Sequence, residues 1–380
     1  MPPHTGGISM SREYKEETVK RYETQIERLL KTAPPYIRDF YEHIHNGKRE
    51  ITTQAAYIRD ISAFLGYLKS AIPFFSETEI CNLPEEIFED LTVKDLNEYR
   101  AYLHDERKIS NSSIKKKFAA VSAFYKYMNS DGRIGNNPMR NFEQPAVNSH
   151  RIIKLNSEMS GRLLEGILNN RLYLEKTSDG EKLSPVPRSV FVRREPLVLR
   201  NYAICCLFLG SGLRVSELVG LDLSDINFNQ NSLNIIAKGG NEVQVYFGDE
   251  VADALKNYIY SKKRPDKTSL RTSRDGFNPP KNEKAVFLSS RGTRMTVRMV
   301  EVMIKEAVKT YLPDYDDKEL FSPHKLRATC ATRILAQTGD IELASTQLNH
   351  KSIAVTAAFY AELQKEKQKE KIKNLDINDW

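Results

Sequence analysis

The chain is poor in the residues that staple small secreted domains or hold zinc. It has four cysteines in 380 residues, Cys81, Cys205, Cys206 and Cys330, and none of them forms a Cys-x-x-Cys pair. Two are adjacent inside the apolar run Ala203–Leu209, which reads as reduced core thiols and excludes a disulfide framework. No apolar stretch reaches the ~20 residues needed to cross a bilayer, so no membrane partner is expected. Residues 1–10 lack the basic-then-apolar order of a secretory signal; they read as a disordered tail of a protein that stays in the cytoplasm. Acidic residues show no clustering suited to a divalent cation, so neither a metal nor another cofactor is implied. There is no internal repeat.

What the chain does have is basic charge and length. Lys and Arg number 57 against 50 Asp and Glu, a formal charge of +7, with a pI near 9.0, which favours a polyanionic partner. A chain of this length fits two domains. Residues 11–145 are helical in pattern. Thr92-Val93-Lys94-Asp95 is a capped start, followed by Leu96, Tyr99 and Leu103 at helical spacing. Ile51–Ser70 is a second amphipathic segment, and a third begins at Asn111. Ile114, Phe118, Val121, Tyr125 and Met128 fall on one face of that third helix, with Lys115, Lys116 and Lys117 beside or opposite it. Residues 146–156, following the break at Gly132–Pro138, are the expected linker.

The second domain, 157–363, opens with a helix over Ser157–Asn170 and a polar loop over Glu175–Arg194. An apolar helix follows Arg200, then a Gly-Ser-Gly turn and a short helix from Val215. Leu233–Ile236 and Val243–Phe247 alternate as strands around Lys238-Gly-Gly-Asn241, the composition of a hairpin turn. Helices are expected at Val297–Tyr311, Leu326–Gln337, Ile341–Leu348 and from Val355 onward. Residues 364–380 form a charged tail. The fold class is therefore mainly α with a small antiparallel sheet.

Four segments stand out together: Ser211-Gly-Leu-Arg-Val-Ser-Glu-Leu218, the hairpin Lys238, Pro323-His-Lys-Leu-Arg327, and Leu348-Asn-His-Lys-Ser-Ile353. Cleaving a phosphodiester without metal requires cations to neutralise the phosphorane, an acid for the leaving oxygen and an aligned nucleophile. Arginine forks bind two phosphate oxygens at once, which makes Arg214 and Arg327 a natural clamp. His324 precedes Arg327 by about one helical turn, so both can face one phosphate. Each of these residues alone has an ordinary structural explanation: an i,i+3 pair of Arg214 with Glu217, a turn lysine, capping histidines.

In this order and spacing the segments resemble the catalytic domain of the tyrosine recombinase and integrase family, with its G-L-R-x-S-E-L, hairpin Lys, H-x-L-R and L-G-H motifs. The helical first part resembles that family's core-binding domain. Pro34–Leu103 and the unbroken Pro-His-Lys-Leu-Arg look most like the single-protein Xer recombinases of Gram-positive bacteria. The resemblance implies a two-domain clamp around duplex DNA carrying a specific recombination site, with a homo-tetramer spanning two sites and no cofactor. It gives His324 the nucleophile's proton, Lys238 the proton for the 5′ leaving oxygen, and His350 a non-bridging oxygen. It further implies a 3′-phosphotyrosyl intermediate and a Holliday junction, with the tail after Leu363 docking on a neighbour. Lys115, Lys116, Lys117, Arg271, Arg274 and Arg294 are the expected DNA contacts.

The family's nucleophilic Tyr stands nine residues after the second histidine, and here that position is Phe359; Tyr360 comes one residue later. Phenylalanine has no oxygen to attack phosphorus. One residue turns a side chain by about 100° around a helix, which would aim Tyr360 away from the phosphate. The expectation is a replaced nucleophile at Phe359, with Tyr360 in a shifted register as the alternative. Asn349 stands where glycine is usual and tolerates the same left-handed backbone. Two other functions fit similar residues: a type IB topoisomerase, and a catalytically inactive DNA-binding accessory protein.

Overall fold

The computed structural model describes residues 10–146, 152–169, 188–236, 241–260, 284–350 and 352–373. The chain separates into two compact units, one spanning Glu13–His150 and the other made chiefly of Arg151–Trp380, and each is built around its own interior.

The first unit is all helix: α1 (Met10–Lys31), α2 (Pro35–Asn46), α3 (Ile51–Ala71), α4 (Ile87–Asp90), α5 (Val93–Ala101) and α6 (Asn111–Ser130). The α5 start is fixed by Asp95, whose carboxylate accepts from the Thr92 N–H at 2.8 Å and the Thr92 hydroxyl at 2.6 Å. In α6 the five apolar positions Ile114, Phe118, Val121, Tyr125 and Met128 are all fully buried. They pack into an aromatic core in which Phe88 meets Tyr36, Phe124 and Tyr125 edge-on, at centroid distances of 4.9–5.9 Å. Proline at the first position of α2 suits a site where no intrahelical N–H partner exists. A single π turn, Tyr102–Glu106, carries α5 onward toward Ile109.

The second unit wraps α7 (Ser157–Leu168), α10 (Asp249–Ile259) and α12 (Pro323–Thr338) against α8 (Arg188–Ser211). Ala203, Ile204, Cys205, Leu207 and Phe208 of α8 are all fully buried, so over 203–209 the helix is apolar around its girth and serves as the unit's axis. It begins at Arg188, so the last part of the expected polar loop over 175–194 is helical instead; the rest of that loop lies outside the described residues. Short α9 (Val215–Gly220) follows a turn at Gly212, whose φ is +67°. A Cβ there would approach Leu348 to 2.3 Å, so glycine is required both for the backbone angle and for the close approach.

The sheet is antiparallel in the order β1 (Ile226–Asn227), β2 (Ser232–Ile236), β3 (Glu242–Tyr246), with Leu233 opposite Val245 and Ile235 opposite Val243. Strand β1, too short to leave a periodic signal, is an addition to the two expected strands. The unit closes with α11 (Val297–Tyr311), α13 (Ile341–Gln347) and α14 (Ile353–Lys373). The last of these continues without a break through the expected tail boundary at Leu363. Among the described residues no helix is long and apolar enough to cross a membrane.

Candidate active site

Arg214 is the residue before α9, in extended conformation, and Glu217 holds it from two sides. The Glu217 carboxylate accepts the Arg214 backbone N–H at 2.7 Å and Nη1 at 2.7 Å. The i,i+3 pair expected of a merely structural arginine is therefore present. The same guanidinium also reaches a segment 135 residues away, Nη2 donating to the Asn349 carbonyl at 2.9 Å. With a quarter of its side chain exposed, Arg214 retains N–H groups directed elsewhere.

Arg327 sits at the start of the second turn of α12 and is buried. Its Nη1 donates to the Gly212 carbonyl at 2.6 Å, and its Nη2 donates to the Leu348 carbonyl. Burial and the nearby Arg214 lower its pKa to about 10, which leaves it charged at neutral pH. Both arginines thus anchor on consecutive carbonyls, Leu348 and Asn349, of the turn that delivers His350. Asn349 has φ +48°, the left-handed backbone anticipated for a residue standing in for glycine.

His324 lies one turn before Arg327 on α12, at a solvent-facing position. Its pKa is lowered by partial burial and by Arg327 and Arg214, with Glu301 opposing. His350 is half-buried. Desolvation and the same two arginines push its pKa down to about 4, so the ring is neutral at pH 7. Its Nδ1 lies 2.8 Å from the Thr356 hydroxyl, and its ring lies nearly parallel to Phe359, at 14° and 6.4 Å between centroids. Phe359 and Tyr360 both pack partly buried against Leu335, Ala344 and Leu363.

The structure therefore brings Arg214, His324, Arg327, His350 and Phe359 into one neighbourhood. Lys238, Arg271 and Arg274 lie outside the described residues. The expected DNA contacts in the first unit divide: Lys115 and Lys116 are exposed, whereas Lys117 is paired with the buried Asp60 at 2.9 Å. Arg294 is a correction. Its guanidinium turns inward, donating to the carbonyls of Val219 at 2.9 Å and Leu221 at 3.1 Å and pairing with the fully buried Asp222. A side chain committed to a buried carboxylate and two carbonyls supports the unit's interior and is not placed for a phosphate contact.

Sequence reasoning also missed four participants. Three are backbone carbonyls, those of Gly212, Leu348 and Asn349, which carry no side-chain signature. The fourth is Thr356, whose contact with His350 depends on how the start of α14 sits beside the turn before it.

The family model described as the phage integrase family matches residues 188–367, and that of the phage integrase N-terminal SAM-like domain matches 36–132. Tyrosine recombinase XerC of Caldanaerobacter subterraneus subsp. tengcongensis is 30% identical over 353 residues, covering 90% of this chain and 87% of that protein. Tyrosine recombinase XerS of Lactococcus lactis subsp. cremoris is 27% identical over 367 residues, covering 92% and 98%. Among solved structures, the Tn1549 transposon integrase in complex with circular intermediate DNA aligns with a TM-score of 0.59 at 18% identity, over 88% of this chain and 99% of that one. The XerH site-specific recombinase bound to a palindromic difH substrate aligns with 0.56 at 16%, over 85% and 79%. Fold and sequence together define the class of DNA breaking-and-rejoining enzymes. The chain belongs to the tyrosine recombinase family, and its likeness there is to the Xer proteins.

Proposed function

We propose that this chain is a site-specific recombinase that binds duplex DNA as a tetramer on two sites and carries Phe359 where the nucleophilic tyrosine belongs. The observation that carries the reading is the shared anchoring of Arg214 and Arg327 on the Leu348-Asn349 carbonyls. Two permanent cations held at one turn, beside His350, which burial and those cations keep neutral, and His324, whose pKa they lower, form an environment suited to a phosphodiester anion and to the more negative phosphorane formed from it. An incoming phosphate would relieve the mutual repulsion of the two guanidinium groups. Phe359 lies against His350, on the same side of α14 as the arginine-bound turn, which favours it over Tyr360 as the residue in the nucleophile's position.

In that scheme His324 exchanges the nucleophile's proton and Lys238 protonates the 5′ oxygen. The hydroxyl of a tyrosine at 359 attacks phosphorus, leaving a 3′-phosphotyrosyl link and a 5′-hydroxyl. Attack by the partner strand's 5′-hydroxyl restores the phosphodiester and forms the Holliday junction, with the bond energy conserved in the protein link. Lys115 and Lys116 contact phosphates, and residues beyond Leu363 dock on a neighbouring protomer. The protein works in the cytoplasm, where its DNA is. Without the 359 hydroxyl the native chain stops at the bound, uncleaved stage.

The test uses duplexes enriched from a random library by the native chain. Native gels of two such duplexes with the Phe359→Tyr variant are expected to show a four-way junction, while the native chain gives non-covalent complexes alone. Relaxation of a supercoiled circle by that variant with no junction would assign a type IB topoisomerase instead. Binding without any chemistry in the variant would assign an accessory DNA-binding protein.

A further inference from the structure

Thr356 lies on the first turn of α14, and its side chain is completely buried. Threonines on other helices of this chain turn their hydroxyl back to the carbonyl four residues earlier: Thr24, Thr329, Thr332 and Thr338 do so at 2.8–3.0 Å. Thr356 makes no such bond; its oxygen lies 2.8 Å from His350 Nδ1. A buried hydroxyl left without a partner would be costly, so this contact satisfies it.

One proton lies on the line between the two atoms. Either the hydroxyl donates to a bare Nδ1, or an Nδ1–H donates to the hydroxyl oxygen. In the second arrangement the threonine proton has no acceptor among the described residues. The first satisfies both groups and leaves hydrogen on Nε2, the far nitrogen of the ring.

We propose that Thr356 is a positioning residue that donates to His350 Nδ1 and so locks the neutral ring in the tautomer protonated at Nε2. The reason for such a device lies in the surroundings. Arg214 and Arg327, approaching from the segment before α9 and from α12, make a third cation at this spot unfavourable, with Glu217 only partly offsetting them. A neutral imidazole free to choose either nitrogen would present a lone pair to a phosphate oxygen for part of the time, and that contact is repulsive. Fixing the tautomer makes His350 a permanent hydrogen-bond donor at no cost in charge. The use of that donor rests on the phosphate-facing role proposed above; the tautomer itself rests only on the Thr356 contact.

The experiment records long-range nitrogen–proton NMR correlations of the full-length chain labelled at histidine nitrogens, with His350→Asn for assignment. Native chain and Thr356→Ser are expected to show a protonated Nε2 and a bare Nδ1, and Thr356→Val a mixture or the opposite tautomer. An Nδ1-protonated ring in the native chain would overturn the proposal, even if the valine variant fails to fold. So would an unchanged tautomer in a folded Thr356→Val protein. Adding the enriched duplex should shift the Nε2–H signal in the native chain. A tautomer that follows the hydroxyl but ignores DNA would uphold the role of Thr356 and refute the phosphate-facing reading of His350.

Discussion

The candidate DNA-binding cations of the two units are placed differently. The helical unit keeps Lys115 and Lys116 in solvent and fills its interior with aromatic rings. The second unit buries Arg200 and Arg327, draws Arg294 onto a buried aspartate and leaves only a quarter of the Arg214 side chain exposed. Surface lysines attract a polyanion at long range and lose force as salt rises. A buried arginine is held by fixed acceptors such as the Gly212 and Leu348 carbonyls, so it is oriented before any ligand arrives. The first arrangement suits capture of DNA, and the second suits holding one phosphate in a defined geometry.

The contrast breaks most visibly at Arg327. Replacing it with methionine leaves the Gly212 and Leu348 carbonyls without donors, and should cost about 2–5 kcal/mol of stability, read from urea midpoints. A change below about 1 kcal/mol would mean that those carbonyls do not depend on it. Arg214→Gln should cost less stability, because Glu217 can still cap α9 through the backbone N–H. It should weaken binding of the enriched duplex by about tenfold, the worth of one charge-assisted contact. It should also raise the His350 pKa from about 4 toward its ordinary value, as one of two like charges is removed; an NMR titration measures the shift.

pH sharpens the same comparison. The folded pKa of His350 lies below its unfolded value of 6.5, so the unfolded chain takes up the proton first. The stability this contributes is fully present above pH 6.5 and is lost as pH falls from about 6.5 toward 4; His324 acts in the same direction. Urea midpoints across that range should decline in the second unit and stay flatter in Arg214→Gln. The smallest effects on folding belong to the first unit. Lys115→Gln and Lys116→Gln should leave stability within about 0.5 kcal/mol while each lowers the salt slope of DNA binding by about 1. Lys117→Met differs from them, since it leaves the buried Asp60 only the more distant Arg59 at 3.8 Å and should cost about 1–3 kcal/mol.

What the sequence made legible follows the same division. Apolar periodicity in α6 named its buried face residue by residue, because burial on a helix leaves a 3.6-residue pattern. The motif order brought together Arg214, His324, Arg327 and His350, and the left-handed turn at Asn349 was readable from its side chain. Arg294 was not, because an arginine that pairs inward with Asp222 looks in sequence like one that faces DNA. Nor were the carbonyls that orient the two arginines, since a backbone acceptor is independent of residue type. Nor was Thr356, since its contact with His350 depends on where α14 starts relative to the turn before it.

The most direct test of the account is where a covalent bond to DNA forms. Native chain and Phe359→Tyr are each incubated with a nicked suicide duplex built on the enriched site, and any protein–DNA adduct is digested and mapped by mass spectrometry. The account predicts no adduct from the native chain and a phosphotyrosyl peptide at position 359 from the variant. An adduct on Tyr360 of the native chain would contradict it.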